Sequence, residues 1–277
     1  MYKKIFVLIV LILMLSFSFA SLTTDLISYY NFDETSGTTA IDLVGANDGT
    51  NSNAVINQTG KIGKAYSFTS TNSAQVVLAN EANFDFIMDT TKDFTVSYWV
   101  KTSTNPDNAS FVAKGDFPNN FQMSTSTNAS IYFYYRMYKD VSNNLGVKNP
   151  SSMLTGNWIH IVATRTGTTL KIYRDGANTL ATIDSSGTYT TTNNDSPFTI
   201  GSAYTLSYSN SIMDEIGIWN RVLTSTEITE LYNSGAGLTY PFGEKVVPNF
   251  DYVTDKTNAQ IILEDTSTVV GATEITQ

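Results

Sequence analysis

The sequence predicts an all-β sandwich or barrel that carries one short helix near its C-terminal end. Short runs of β-branched and aromatic residues recur along the chain, separated by segments rich in Thr, Ser, Asn and Gly. One stretch alone combines helical periodicity with start and stop signals. There is no cysteine among the 277 residues, so no disulfide can staple the fold and a sizeable core must hold it.

The clearest strands are LISYYNF (26–32), KAYSF (64–68), FTVSYWVK (94–101), ASIYFYYRMY (129–138), WIHIVATR (158–165), TLKIYRDG (169–176), FTIGSA (198–203) and IMDEIGIW (212–219). Asp175–Gly176 suits a hairpin, because Gly tolerates the positive φ of a tight turn. In LTSTEITELYNSG, Thr224 can cap a helix whose third residue, Glu227, reaches back to it. Ile228, Leu231 and Tyr232 then share one face, and Gly235 suits the stop.

The N-terminus reads as a secretory signal over residues 1–20: a basic MYKK, the apolar IFVLIVLILML and a small-residue ending before Ser21. The apolar run is shorter than the roughly 20 residues of a membrane span. The expected location is therefore secreted or cell-surface, with an uncleaved anchor as the alternative and no span after cleavage. The chain has 16 basic and 25 acidic residues. Loss of Lys3 and Lys4 leaves 14 against 25, a net charge of −11. Such an acidic surface argues against nucleic acid and anionic lipid. The periodic pattern stops near residue 242, and 243–277 reads as a linker followed by the start of a further β segment.

LISYYNFDETSGTTAIDLVGANDGT, GKIGKAYSFTS, DFTVSYWVKT, GNWIHIVATRTGTTLKIYRDG and IMDEIGIWNRVLTSTEITELY follow one another in an order that resembles the laminin-G-like jelly-roll domains of the concanavalin A-like lectin/glucanase superfamily. The resemblance covers residues 22–242. It implies a two-sheet antiparallel jelly-roll sandwich, and it leaves function open, because this fold hosts lectins, glucanases and adhesion modules.

Asp214 and Glu215 are adjacent carboxylates inside an apolar strand. Strict alternation puts Asp214 with Ile212, Ile216 and Ile218, and Glu215 with Met213, Gly217 and Trp219. On opposite faces, the two cannot flank one scissile bond. The glucanases that the chain resembles use Glu-x-Asp-x-x-Glu, a pattern absent from this sequence. Asp214 among isoleucines still needs partners: backbone N–H groups, Arg221, or a cation. The resemblance implies a structural Ca²⁺ between the first-strand loop and the last strand, where Asp33, Asp48 and Asp214 occupy matching positions.

The other candidate is IYFYYRMY. Alternation sets Ile131, Phe133, Tyr135 and Met137 on one face, and Tyr132, Tyr134, Arg136 and Tyr138 on the other. Tyrosines interleaved with a guanidinium suit sugar, since rings stack on pyranose C–H groups while Arg and phenols bond hydroxyls or a carboxylate. A second packed layer would use the same pattern. His160 is the one histidine and reads as structural; Trp99, Trp158 and Trp219 read as core anchors. The expected function is a non-catalytic module that binds carbohydrate or a glycoprotein surface. The alternatives are a structural or adhesive protein-interaction module and an accessory domain of a glycoside hydrolase.

Overall fold

The computed structural model describes residues 21–242 apart from 105, 107, 117–118, 126–132, 139–143, 150–154, 179–181, 187–194 and 204–206. Within strands, the side chains of 116, 119, 133–136, 138, 144, 149, 178 and 182–186 also lie outside the description. The chain divides into two compact units, Met1–Thr239 and Tyr240–Gln277; the strands and the helix all belong to the first.

The strands in chain order are β1 (Leu26–Tyr30), β2 (Thr39–Ala40), β3 (Gly49–Ser52), β4 (Val55–Thr59), β5 (Lys64–Phe68), β6 (Gln75–Leu78), β7 (Phe94–Lys101), β8 (Ser110–Asp116) and β9 (Asn119–Thr125). They continue with β10 (Phe133–Tyr138), β11 (Asn144–Asn149), β12 (Trp158–Thr166), β13 (Thr169–Arg174), β14 (Ala177–Asn178), β15 (Thr182–Ser186), β16 (Phe198–Ile200) and β17 (Ser211–Trp219), and the helix is α1 (Ser225–Tyr232). Two sheets result. One runs β14-β13-β12-β7-β17-β5-β4, with β1 also on β17; the other runs β15-β11-β10-β9-β8-β16-β6-β3-β2. The fold is the expected two-sheet antiparallel sandwich with one short helix.

The core lies between the sheets. Val96, Tyr98 and Val100 of β7, Ile159, Ile161 and Ala163 of β12, and Ile216 and Ile218 of β17 enter it from the first sheet. Val76, Leu78, Phe121, Met123, Met137, Phe198 and Ile200 enter from the second. Large aromatics substitute for disulfides: Phe32 stacks on Tyr66 at 4.1 Å, and Phe94 meets Phe121 edge-on at 5.4 Å.

Two buried cations fasten the segment 81–92, which carries Phe84 and Ile87 into this core. Lys114 pairs with Glu81 at 2.8 Å and Asp85 at 3.1 Å, and donates to the Ser196 carbonyl. Arg165, wholly buried, donates to the carbonyls of Phe86, Ile87, Asp89 and Lys92. Its register partner is Phe94, and its guanidinium lies 4.7 Å from that ring.

The helix starts as read: Thr224 and Glu227 form a complete capping box. It stops earlier than expected. Asn233, not Gly235, takes the left-handed cap at φ 47, and its N–H reaches the Thr229 carbonyl. Asn tolerates that region through its short polar side chain, so the glycine is left for the following turn. Asp175 and Gly176, at φ 52 and 76, form the expected turn between β13 and β14. Trp158 is half-buried. Trp99 and Trp219 are buried but outside the inter-sheet core.

Candidate functional site

The acid pair sits where β17 changes neighbours. Residues 211–213 pair with β5 and residues 216–219 pair with β1, while β7 runs along the other side with its register shifted between Asp214 and Gly217. The shift is a bulge, and Glu215 occupies the left-handed region at φ 53. Strict alternation therefore fails. Met213, Ile216 and Ile218 all enter the core, and both carboxylates are excluded from it. Asp214 is instead the register partner of Trp99 on the outer face.

Both acids are nevertheless buried, at 0% and 3% exposure. Asp214 Oδ2 accepts the N–H groups of Lys61 at 2.8 Å and Ile62 at 3.1 Å, and its Oδ1 accepts from Glu215 at 2.9 Å. Glu215 receives the Tyr29 hydroxyl, which also lies 3.1 Å from the Leu238 carbonyl. One phenol hydrogen cannot serve both acceptors fully. A protonated Glu215 donating to the Tyr29 oxygen would free that hydrogen for Leu238. Burial pushes the Glu215 carboxyl up to about 7, against Tyr29 and Thr239, which favour its charge. Burial, and then the neighbouring Glu215, push Asp214 up to about 8 despite its three N–H partners. Arg221 is engaged elsewhere, with Glu227 at 2.6 Å.

The same outer face carries His160, fully buried with its ring 5.0 Å from Trp99 and 6.2 Å from Tyr232 of α1. Its Nε2 bonds Ser97 Oγ at 2.9 Å, while Nδ1 has no hydrogen-bond partner. Burial pulls it down to about 3, so it is a neutral packing group. Lys61 reaches over Trp99 at 4.5 Å. Gly217 is required here, because a Cβ would lie 2.4 Å from the Trp219 ring.

The residues proposed for calcium are not brought into one shell. Asp33 Oδ1 accepts the Lys64 N–H at 2.7 Å, at the far end of the 60–64 turn that Asp214 binds. Asp48 caps a different N–H, that of Asp42, at 2.8 Å. Among the described residues no group of three or more His, Cys, Asp or Glu is placed to hold a metal. The donor set does not fit Ca²⁺, which wants six to eight converging oxygens, whereas these oxygens already serve backbone N–H groups. The organiser of the loop is Asp42, which sequence reasoning missed: it accepts from Tyr29, Val44 and Asn47. Calcium and chelator should accordingly give the same melting midpoint. A rise equivalent to about 2.7 kcal/mol at a hundredfold excess over Kd would restore the metal.

The tyrosine-rich strand is β10, held between β9 and β11. Met137 is in the core, which puts the alternate positions 134, 136 and 138 on the face turned away from it. Cross-strand partners share that face: Tyr134 with Ser124 and Lys148, Arg136 with Gln122 and Gly146, Tyr138 with Asn120 and Asn144. Of the neighbours whose side chains are described, Gln122 and Lys148 are half-buried, and Ser124 and Asn120 are buried. Gln122 donates to Ser110 Oγ. Tyr132, and the side chains of Tyr134, Arg136 and Tyr138, lie outside the described residues.

A laminin-G model of the concanavalin A-like lectin/glucanases superfamily matches residues 70–229, more than half of the chain. The chain belongs to this superfamily. Known structures agree on the fold of this concanavalin A-like domain. The binding domain of Paraclostridial Mosquitocidal Protein 1 superposes with a TM-score of 0.60 at 16% identity, covering 78% of this chain and 53% of that one. Domain 4 of AbnA, an extracellular GH43 arabinanase from Geobacillus stearothermophilus solved with arabinotriose, gives 0.56 at 18% identity, covering 74% and 97%. A structure of botulinum neurotoxin type C, whose cell entry depends on two ganglioside molecules, gives 0.59 at 13%, covering 76% and 51%. The concanavalin A-like chain thus spans about half the length of the two toxin chains. No curated protein sequence matches it significantly.

Proposed function

We propose that this protein is a non-catalytic carbohydrate-binding module, secreted or held at the cell surface through residues 1–20, and that it binds sugar on the outer face of β9–β11. The observation that carries the reading is the register. It sets Tyr134, Arg136 and Tyr138 in one row system with Gln122, Ser124 and Lys148, on the side of the sheet opposite the core. Aromatic planes beside amide, hydroxyl and cationic groups are what a pyranose ring needs, with apolar C–H faces for the rings and hydroxyls for the donors. The fold is shared with an arabinanase domain solved with arabinotriose and with a toxin that engages gangliosides, which supports the reading.

The non-catalytic part rests on Asp214 and Glu215. At 0% and 3% exposure, neither can reach a glycosidic bond, and both Asp214 oxygens and Glu215 Oε2 are committed to the frame. Among the described residues no helix is long and apolar enough to cross a membrane.

A glycan array probed with the full chain, with calcium and with chelator, tests the proposal. Binding to a defined set of glycans is expected under both conditions. Tyr134→Ala should weaken binding to the best of them by about 0.5–1.5 kcal/mol, the worth of an aromatic contact, with an unchanged melting midpoint. No binding by the folded chain, or full binding by Tyr134→Ala, would sink the assignment of this face.

A further inference from the structure

A row of five residues crosses the outer face of the first sheet. Val55 of β4 is opposite Ser67 of β5, and Ser67 is opposite Ile212 of β17. Ile212 is in turn opposite Lys101 of β7, and Lys101 is opposite Trp158 of β12. Their chain neighbours Ile56, Phe68, Met213, Val100 and Ile159 enter or pack on the core, so all five side chains point away from it. Val55 is 50% exposed and the other four are half-buried. The Trp158 indole meets no ring and no hydrogen-bond partner among the described residues. The next row along is closed. Trp99 lies under Lys61 at 4.5 Å and against Tyr232 of α1 at 5.8 Å, and Asp214 is taken by the 60–64 turn.

In a chain with 25 acidic and 16 basic residues, this strip is basic. Lys101 lies in it, and Lys61 stands over Trp99, two residues away along β7. Neither ammonium is in an ion pair among the described residues. No acid occupies the row. We propose that the strip is a second binding site, on the sheet opposite β9–β11, for a glycan that bears a carboxylate or sulfate. Trp158 supplies a flat apolar plane for a pyranose ring. Lys101, directly opposite at roughly 4.5–5.5 Å between Cβ atoms, meets the anion in a charge-assisted hydrogen bond. Size decides against a protein partner, which covers roughly 800 Å² on each side of a stable interface. Four inter-strand steps make the row about 19 Å long and one row is about 7 Å wide, which is the footprint of a short saccharide. Acidic surface elsewhere repels such a ligand and steers it toward the strip.

Trp158 reports on its own site, because Trp99 and Trp219 are buried at 2% and 0% exposure. In the full chain, iodide should quench tryptophan fluorescence more than caesium does, each normalised to free N-acetyltryptophanamide, despite the net charge of −9. Trp158→Phe should abolish that difference. Two matched pairs then probe the ligand: oligogalacturonate against its carboxyl-reduced form, and sulfated against plain dextran oligosaccharide. The acidic member of at least one pair should protect Trp158 from acrylamide at a concentration about tenfold or more below its neutral partner. Lys101→Gln should bring the two members together. Polyglutamate carries the charge without a pyranose and should protect no better than the neutral sugars. Equal normalised quenching by iodide and caesium, equal protection within both pairs, or no protection at all overturns the site. Stronger protection by polyglutamate overturns the sugar and makes the strip a surface for acidic protein. Tyr134→Ala, on the other sheet, should leave the protection of Trp158 unchanged, so failure of that face and failure of this one are read separately. The quencher contrast and the matched pairs are measured on the wild-type chain, so the outcome does not depend on any variant folding.

Discussion

Arg165→Ala should lower the melting midpoint by about 6–20 °C, the largest effect expected of any single substitution in this protein. The guanidinium is fully buried and serves four main-chain carbonyls of the segment 86–92. Removing one partner of a buried charged group costs about 3–5 kcal/mol, and about 2–4 °C accompanies each kcal/mol in a domain of this size. Arg165→Lys keeps the charge but lacks the planar fork that addresses several acceptors at once, so most of the loss should remain. A scanning-calorimetry midpoint within about 2 °C of wild type for Arg165→Ala would show that the carbonyls find other donors. The same segment carries Phe84 and Ile87 into the core, and protection of its amides from hydrogen exchange should fall with the midpoint.

The second large effect is a loss of stability toward alkaline pH, centred on the buried acid pair. Asp214 and Glu215 are held at about 8 and about 7 against ordinary values of 3.8 and 4.5. A carboxyl raised in the folded state contributes stability that is whole below its unfolded pKa and is lost as pH rises through the folded one. His160 acts in the opposite sense. Its folded value of about 3 lies below 6.5, so its contribution is whole above pH 6.5 and fades toward pH 3. From about pH 7 to 8.5 the histidine is silent and the slope belongs to the pair. The midpoint should fall across that window by several degrees, on the order of 1–2 kcal/mol.

Glu215→Gln should flatten the fall, melting above wild type at pH 8.5 and close to it at pH 5, because a neutral amide can bond Tyr29 without a buried charge. Asp214→Ala should behave differently, lowering the midpoint at every pH by leaving the N–H groups of Lys61, Ile62 and Glu215 unserved. Parallel pH profiles for wild type and Glu215→Gln would show instead that Glu215 is already ionised in the folded state.

These two centres differ in how much of them the sequence displays. Arg165 stands in WIHIVATR at a position that alternates with Ile159, Ile161 and Ala163, so its inward direction is readable from period two. Its partners are not, because they are main-chain carbonyls supplied from more than 70 residues upstream. Asp214 is readable as a carboxylate needing partners, with backbone N–H groups among those it could take. The opposite-face assignment of Glu215 failed, since a bulge leaves no mark in residue order when its extra residue is a glutamate rather than a glycine. The strands of the second sheet were the least visible. NNFQMST and NLGVKN send only two residues each into the core, Phe121 with Met123 and Leu145 with Val147, and GTNS sends none, so little apolar pattern marks them.

The order of residues alone determined the class of the fold, the capping box at Thr224, the turn at Asp175–Gly176 and the alternation along β7 and β12, because each depends on neighbours within a few positions. The tertiary structure decided what depends on distant chain. It exchanged β5 for β1 along β17, and so put two acids under cover on one side of a strand. It tied Asp33 and Asp214 to opposite ends of the 60–64 turn and Asp48 to the N–H of Asp42. It also set Lys148 opposite Tyr134, a pairing that follows from strand register and from nothing in either segment by itself. Local preferences act over one turn or one pleat, whereas a bulge, a shared shell or a cross-strand pair exists only once long-range pairing has set the register.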